Sequence, residues 1–400
     1  MKEKIKLIFD KFIIIFLLLQ PFIDAFTMLQ IRYEVNNITA SMIFRFIFFM
    51  IMLLYIIKNK KLRKYGIIFS VYFIFQIIFM SLHMKNSISM EISNIFQIFY
   101  LPLAILFFNK YENKKINDRL ILIINFIYIS MIIVPYLFHF GVYASDLYKE
   151  KSGFYGLFYG GNEISMILLA LFPISVKALC NIKNILIKII YIVSLALATL
   201  LIATKTLLLG IIIVFIYYAI KYLKANIKLM NKGKKMLIIS SILAILLVMI
   251  ILIPKTAMYS NIKLAMKTFR VSDKNLFSIY SLDKIVFSGR LGFLKNINNI
   301  YMNSGLLSML FGLGKTLIVN VKIIEIDIFD LFYSVGIIGF LIYVLYMVRS
   351  MKQIRLKNVY KFDFIFLLII SLVVGHILLA VNVSIFLALL VILNKNNEME

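Results

Sequence analysis

The chain has 400 residues, 62% of them hydrophobic, with a mean hydropathy of +0.97. A soluble core cannot absorb that fraction, so the bilayer is the solvent and the expected fold class is an all-α polytopic membrane protein. The net charge of +26 does not point to nucleic acid, because the basic residues fall in short clusters between apolar stretches, as in cytoplasmic loops of membrane proteins.

In chain order, the opening "MKEKIKLIFDKFIIIFLLLQPF" has a basic start and an apolar run but no small-residue cleavage site, so a retained first span is expected. Windows of about 17–22 apolar residues predict about twelve transmembrane helices. Their centres lie near Leu19, Phe49, Ile74, Leu101, Ile129, Ala170, Ser194, Ile213, Ala244, Gly339, Leu368 and Leu387. The fourth and last are expected to be short, and the last two to form a tight hairpin around Ala380. Asp24 in the first span, four residues after Gln20, is expected to pair with Arg45 of the second.

The clusters beginning at Lys58, Lys110, Lys221 and Arg349, the weaker one around Cys180 and both termini share one side. That side holds 28 of the 44 Lys and Arg residues and is assigned to the cytoplasm, which makes the other face extracytoplasmic. Cys180 is the only cysteine, which excludes an intramolecular disulfide and a multi-cysteine metal site. The organisation expected is one integral membrane domain. Spans one to nine occupy residues 1–253, an extracytoplasmic loop with short amphipathic helices occupies 254–326, and spans ten to twelve occupy 327–400. A loop of that length is usually functional or disordered.

The charged residues expected on the outer side are the candidates for chemistry. In "KIIEIDIFDLFYSVGIIGFLIYVLYM", Glu325, Asp327 and Asp330 stand at the mouth of an apolar run. A carboxylate at the bilayer centre costs roughly 2.5–3.5 kcal/mol on insertion scales, so these acids cap a helix, meet water or line a cavity. Lys205 sits in "LIATKTLLLG", a turn too short for a solvated basic loop; it either snorkels to the interface or faces an anion. Arg290 follows a glycine in "FSGRLGF", and arginine grips phosphate in two places. With Lys205 and Arg270 it would form a diphosphate clamp, provided the three converge. Asn162 and Glu163 in "YGGNEIS" are read as caps of the sixth span, with sugar binding as the alternative. His376, like His83 and His139, maps to the outer half; a hydrogen-bonded structural histidine is the ordinary reading.

The order of "LQPFIDAFT", "YGGNE", "ATKTLLLG", "FSGRLGFL", "FGLGK", "EIDIFDLFYSVGIIGFLIY" and "GHILLAVNVS" resembles the O-antigen ligase and polymerase-like membrane protein family. The closer resemblance is to Wzy-type polysaccharide polymerases of Gram-positive capsule loci, and it spans nearly the whole chain. It implies a multi-span glycosyltransferase in the bacterial plasma membrane that takes glycan from an undecaprenyl-diphosphate donor on the outer face. No metal, nucleotide sugar or other cofactor is implied. The resemblance places diphosphate binding on Lys205, Arg290 and Arg270; Asn162, Glu163, Asp330 and His376 are the candidates for acceptor or sugar contacts. Where a ligase of this family has a histidine base, this chain has Glu325 and Asp327, which favours a polymerase with a carboxylate base. A flippase and a chain-length regulator are the expected protein partners. The alternatives are an O-antigen-ligase-like transfer of finished polysaccharide to a wall or lipid acceptor, and a polysaccharide flippase. A transporter usually shows repeated halves and broken helices near the midplane, and no repeat relates the halves of this sequence.

Overall fold

The computed structural model describes residues 2–33, 39–82, 86–147, 152–226, 257–268, 283, 287, 289–321, 323–352 and 354–398. The helices are α1 (Lys2–Arg32), α2 (Ala40–Lys58), α3 (Arg63–Leu82), α4 (Ile88–Lys110), α5 (Asp118–Leu137), α6 (Ala144–Leu147), α7 (Gly161–Cys180), α8 (Ile185–Ile202) and α9 (Lys205–Asn226). They continue with α10 (Ala257–Thr268), α11 (Arg290–Asn303), α12 (Leu306–Phe311), α13 (Gly314–Val321), α14 (Asp327–Lys352), α15 (Asn358–Ser371) and α16 (Val381–Glu398). Among the described residues, nine helices are long and apolar enough to cross a membrane: α1 to α5, α7, α8, α9 and α14. This is a mostly helical, multi-pass architecture, and the nine coincide with the first eight and the tenth of the expected spans. The ninth, centred at Ala244, lies outside the described residues.

Three local expectations change. The fourth span is a full helix of 23 residues rather than a short one. The eleventh, α15, has 14 residues, fewer than the roughly 20 that cross a bilayer unaided. The last two helices do not meet in a tight turn at Ala380. The chain leaves the helix after Ser371 and passes through the non-helical residues 372–380 before α16 begins.

Two compact units make up the chain. The first combines Met1–Ile121 with Asp273–Glu400. At its centre lie α4 and α16, whose largely apolar middle stretches are surrounded by protein; Phe99, Leu101, Phe107, Leu387 and Leu389 have no exposed surface. Lipid tails are as apolar as leucine, so such burial gains van der Waals packing rather than escape from water. The two helices run parallel, because the C-terminal end of α16 meets the C-terminal end of α4. Lys395 Nζ donates to Asn109 O at 3.2 Å, and Asn396 Nδ2 donates to Asn113 O at 2.9 Å and Ile116 O at 2.8 Å. At the same end, Asn394 pairs with the backbone of Lys357 and Arg355. The Asp24–Arg45 pair expected between the first two spans forms at 2.6 Å, with Gln20 accepting from Arg45 Nε at 3.0 Å.

The described part of the loop 254–326 in this unit folds onto the helices. Ile297, Tyr301, Leu313, Ile318, Ile324, Ile326 and Tyr333 form one core that joins α11, α13 and the start of α14. Gln76 Nε2 donates to Phe311 O at 2.7 Å. Gln76 lies six residues before the end of α3, roughly 9 Å along the helix axis, so the loop dips below the helix ends. It meets α14 where that helix is broken: Gly336 has φ 66 and ψ −170, a conformation open to glycine. A Cβ on Gly336 would stand 2.4 Å from Gly312 N. Two glycines thus let two backbones cross.

The second unit comprises Leu122–Ser272. Its centre is α7, joined to α5 and α8 by Asn125, whose Nδ2 donates to Ser175 Oγ at 3.0 Å and Tyr191 Oη at 2.7 Å. A short antiparallel pair, β1 (Val142–Tyr143) and β2 (Phe154–Gly156), folds the connection between α5 and α7.

Candidate functional site

The acids of "EIDIFD" and the arginine of "SGRLGF", 35 residues apart in sequence, meet in the first unit. Arg290 is the first residue of α11, which starts at Gly289 with φ 81. Asp283 fixes that start: its Oδ1 accepts from Leu291 N at 3.1 Å, and its carbonyl accepts from Gly289 N at 3.1 Å. The guanidinium is consequently held inward, and Arg290 is only 6% exposed. Its Nη2 donates to Glu325 Oε2 at 2.9 Å and its Nη1 to Val373 O at 3.4 Å. Arg290 Nε is buried with no hydrogen-bond partner among the described residues. The guanidinium fork therefore links three segments distant in sequence and keeps a donor in reserve.

The three acids play three different parts. Asp327 is 2% exposed, and its carboxylate is filled by backbone N–H groups. Oδ1 accepts from His376 at 2.9 Å; Oδ2 accepts from Ile377 at 2.8 Å and Leu378 at 2.7 Å. Successive N–H groups turned to one point make an anion-binding nest, and here the anion is the protein's own. Asp330, 7% exposed, accepts from Ile324 N at 3.0 Å and closes the turn into α14. Glu325 differs: its side chain is 43% exposed while paired with Arg290. Of the three carboxylates it is the one that a ligand can reach.

The backbone around Glu325 is under strain. Its φ is 61 and that of His376 is 71, left-handed values that cost a non-glycine residue of order 1–3 kcal/mol. The conformation is held because Glu325 O accepts from Gly375 N at 2.8 Å. Gly375 has no substitute, since a Cβ there would lie 2.8 Å from that oxygen. Residues 372–380, expected to be a mere turn, thus form the floor beneath Glu325. The half-buried His376 contributes its backbone N–H to the nest.

The remaining candidates are placed elsewhere. Lys205 opens α9 in the second unit, half-buried, just after Ala203 with its left-handed φ of 60. Asn162 and Glu163 are also in the second unit, inside the first turn of α7. The cap of that helix is Gly160, with no side-chain cap bond, so neither residue is the cap expected of it. Glu163 still lies where the helix dipole favours a negative charge. Gly161 permits close approach to the Tyr155 ring, whose Cε1 would be 2.4 Å from an added Cβ. Arg270 and His83 lie outside the described residues.

Sequence reasoning passed over Asp283, Glu91 and Lys315. Asp283 carries a local signal, a short acid a few residues ahead of a glycine that starts a helix. Glu91 and Lys315 are more than 220 positions apart and carry none. Glu91 Oε1 accepts from Lys315 N at 2.8 Å, Thr316 N at 3.2 Å and Thr316 Oγ1 at 3.3 Å, and so caps α13 across the fold. Among the described residues, no cluster of His, Cys, Asp or Glu could hold a metal ion.

A family model described as "O-antigen ligase like membrane protein" matches residues 6–276 and 279–394. No curated protein and no solved structure matches the chain significantly.

Proposed function

This chain belongs to the O-antigen ligase like membrane protein family, a class of membrane glycosyltransferase-type enzymes, and from that premise we propose that it polymerises the repeat units of a surface polysaccharide. On this reading it moves a growing glycan from an undecaprenyl-diphosphate donor to a second lipid-linked unit at the outer face of the bacterial plasma membrane. The observation that carries the reading is the ion pair between buried Arg290 and accessible Glu325.

A diphosphate carries more negative charge than one carboxylate, so it competes with Glu325 for the Arg290 fork. Arg290 then turns Nη2 and the unused Nε to the phosphate oxygens, and Glu325 is released as a base. The acceptor hydroxyl attacks the anomeric carbon and a new C–O bond forms. The bond from that carbon to the diphosphate breaks, its electron pair leaves with the phosphate oxygen, and the hydroxyl proton passes to Glu325. A single displacement of this kind inverts the anomeric centre. Arg290 stabilises the charge that develops on the leaving group, which needs no metal ion. Within the first unit, His376 is proposed as a sugar contact. Asp327 and Asp330, with their carboxylates taken up by backbone N–H groups, are positioning residues that hold Glu325 in its strained turn.

The family name itself supports a second reading, transfer of finished polysaccharide to a wall or lipid acceptor. Pulse-labelled lipid-linked glycans separate the two in a deletion strain complemented with each variant. For a polymerase, the deletion and the Arg290→Ala and Glu325→Gln strains all accumulate single repeat units on lipid at the outer leaflet. A ligase defect leaves long chains on lipid instead, and a flippase defect leaves single units at the inner leaflet. An unchanged profile in the deletion strain rejects glycan transfer altogether.

A further inference from the structure

The glycine-rich turn "FGLGK" holds a second cation in the first unit, Lys315, outside the Arg290–Glu325 pair. Its position follows from what surrounds it. Gly314 has φ 72, and an added Cβ would lie 2.2 Å from Asn86 Nδ2 and 2.7 Å from Glu91 Oε1. The turn is therefore drawn tightly onto the start of α4. Asn86 Nδ2 donates to Glu91 Oε1 and to Leu313 O, both at 3.2 Å. This grip leaves the lysine side chain to run along α4, where Nζ donates to Gln97 Oε1 at 2.6 Å.

Gln97 is nine residues from the first residue of α4, roughly 14 Å along the axis. Between Glu91 and Phe108 every α4 residue is buried except Ile92 and Gln97, which are half-buried, as is Lys315. Gln97 and Lys315 therefore keep part of their surface uncovered at this depth, beside a helix otherwise sealed by protein. An ammonium facing lipid tails there would cost roughly 2.5–3.5 kcal/mol, which makes a hydrophilic cleft the stable arrangement. Among the described residues no carboxylate lies within salt-bridge distance of Lys315 Nζ, and Gln97 takes one of its three protons. Glu91 spends its Oε1 on the backbone and Thr316. A desolvated ammonium with donors to spare is a receptor for an anion.

We propose that Lys315, with Gln97, binds a phosphate group of the lipid-linked acceptor, giving the protein a second anion site distinct from the one at Arg290. The inference rests on the polymerase reading, because polymerisation brings two lipid diphosphates to one enzyme whereas transfer to a wall acceptor brings one. Lysine suits the task as a compact charge that follows a moving phosphate, while the arginine fork holds the leaving group in one orientation.

The test uses the full chain in phosphatidylcholine nanodiscs, with undecaprenyl diphosphate as the probe and native mass spectrometry as the count. Wild type binds two molecules. Lys315→Gln retains the Arg290-dependent molecule, which shows that it is folded, and binds the other about tenfold or more weakly, the scale of one lost charge-assisted hydrogen bond. Lys315→Arg keeps both, and Arg290→Ala keeps only the Lys315-dependent one. Two molecules still bound by Lys315→Gln with unchanged affinity overturn the second site and leave the polymerase reading standing. Phosphatidylglycerol that displaces the Lys315-dependent molecule at equal concentration makes it a general lipid-headgroup site and overturns the acceptor assignment. Failure of wild type to bind any molecule overturns the polymerase reading along with the inference.

Discussion

Glu325 and Asp327 are two residues apart, yet their surroundings assign them different work. Asp327 faces three backbone N–H donors at 2.7–2.9 Å. An asparagine there offers one acceptor oxygen and brings an NH2 group against donors, leaving at least one buried N–H without a partner at a cost of about 1–3 kcal/mol. Asp327→Asn should therefore lower the unfolding temperature of the detergent-solubilised protein, and transfer should fall with it. Glu325→Gln, at a site whose side chain is 43% exposed, should leave the unfolding temperature near that of wild type and abolish transfer. The opposite pattern, stability lost at Glu325 and kept at Asp327, would exchange their roles. The sequence singled out this run of acids, because three carboxylates beside an apolar helix need a reason. It did not show which one is accessible, since that depends on the fold of residues 372–380 some fifty positions later. Asp327 and Asp330, three residues apart, share a helix face with Ser334, and all three are buried. That spacing had no means of reporting that backbone N–H groups fill both carboxylates.

At the scale of elements, apolar run length located the spanning helices well, because a bilayer imposes a length on any helix that crosses it. It failed at α15, where only 14 residues are helical, and at the connection that follows. Hydropathy records how apolar a segment is, whereas a buried non-helical segment is tolerated when neighbouring groups satisfy its backbone. Asp327 and Arg290 do so here. Re-entry of the "FGLGK" turn was equally hidden, because its partners are Gln76, Glu91 and Gln97 on α3 and α4. The break in α14 gives this element a direct test. Gly336→Ala must accommodate φ 66 and a Cβ 2.4 Å from Gly312 N. It is expected to detach α12 and α13 from α14 and so to speed proteolytic cleavage within residues 305–321 relative to wild type. A cleavage rate equal to that of wild type would show that the two backbones do not need to cross so closely.

For the whole molecule, composition settled the solvent and the order of motifs along the chain settled the family, which the match across residues 6–276 and 279–394 bears out. Chemistry is set at a finer level. One accessible carboxylate, one buried guanidinium and a loop that strains the first against the second form the proposed centre of transfer. The most direct test is reconstitution of the purified chain in proteoliposomes with single repeat units on undecaprenyl diphosphate. Glycan joined and undecaprenyl diphosphate released are measured together. The account predicts one lipid diphosphate released for each new glycosidic bond in the absence of added metal ion, with both products lost in Glu325→Gln. Transfer by Glu325→Gln at the wild-type rate would contradict it, because the proton of the acceptor hydroxyl would then have gone elsewhere.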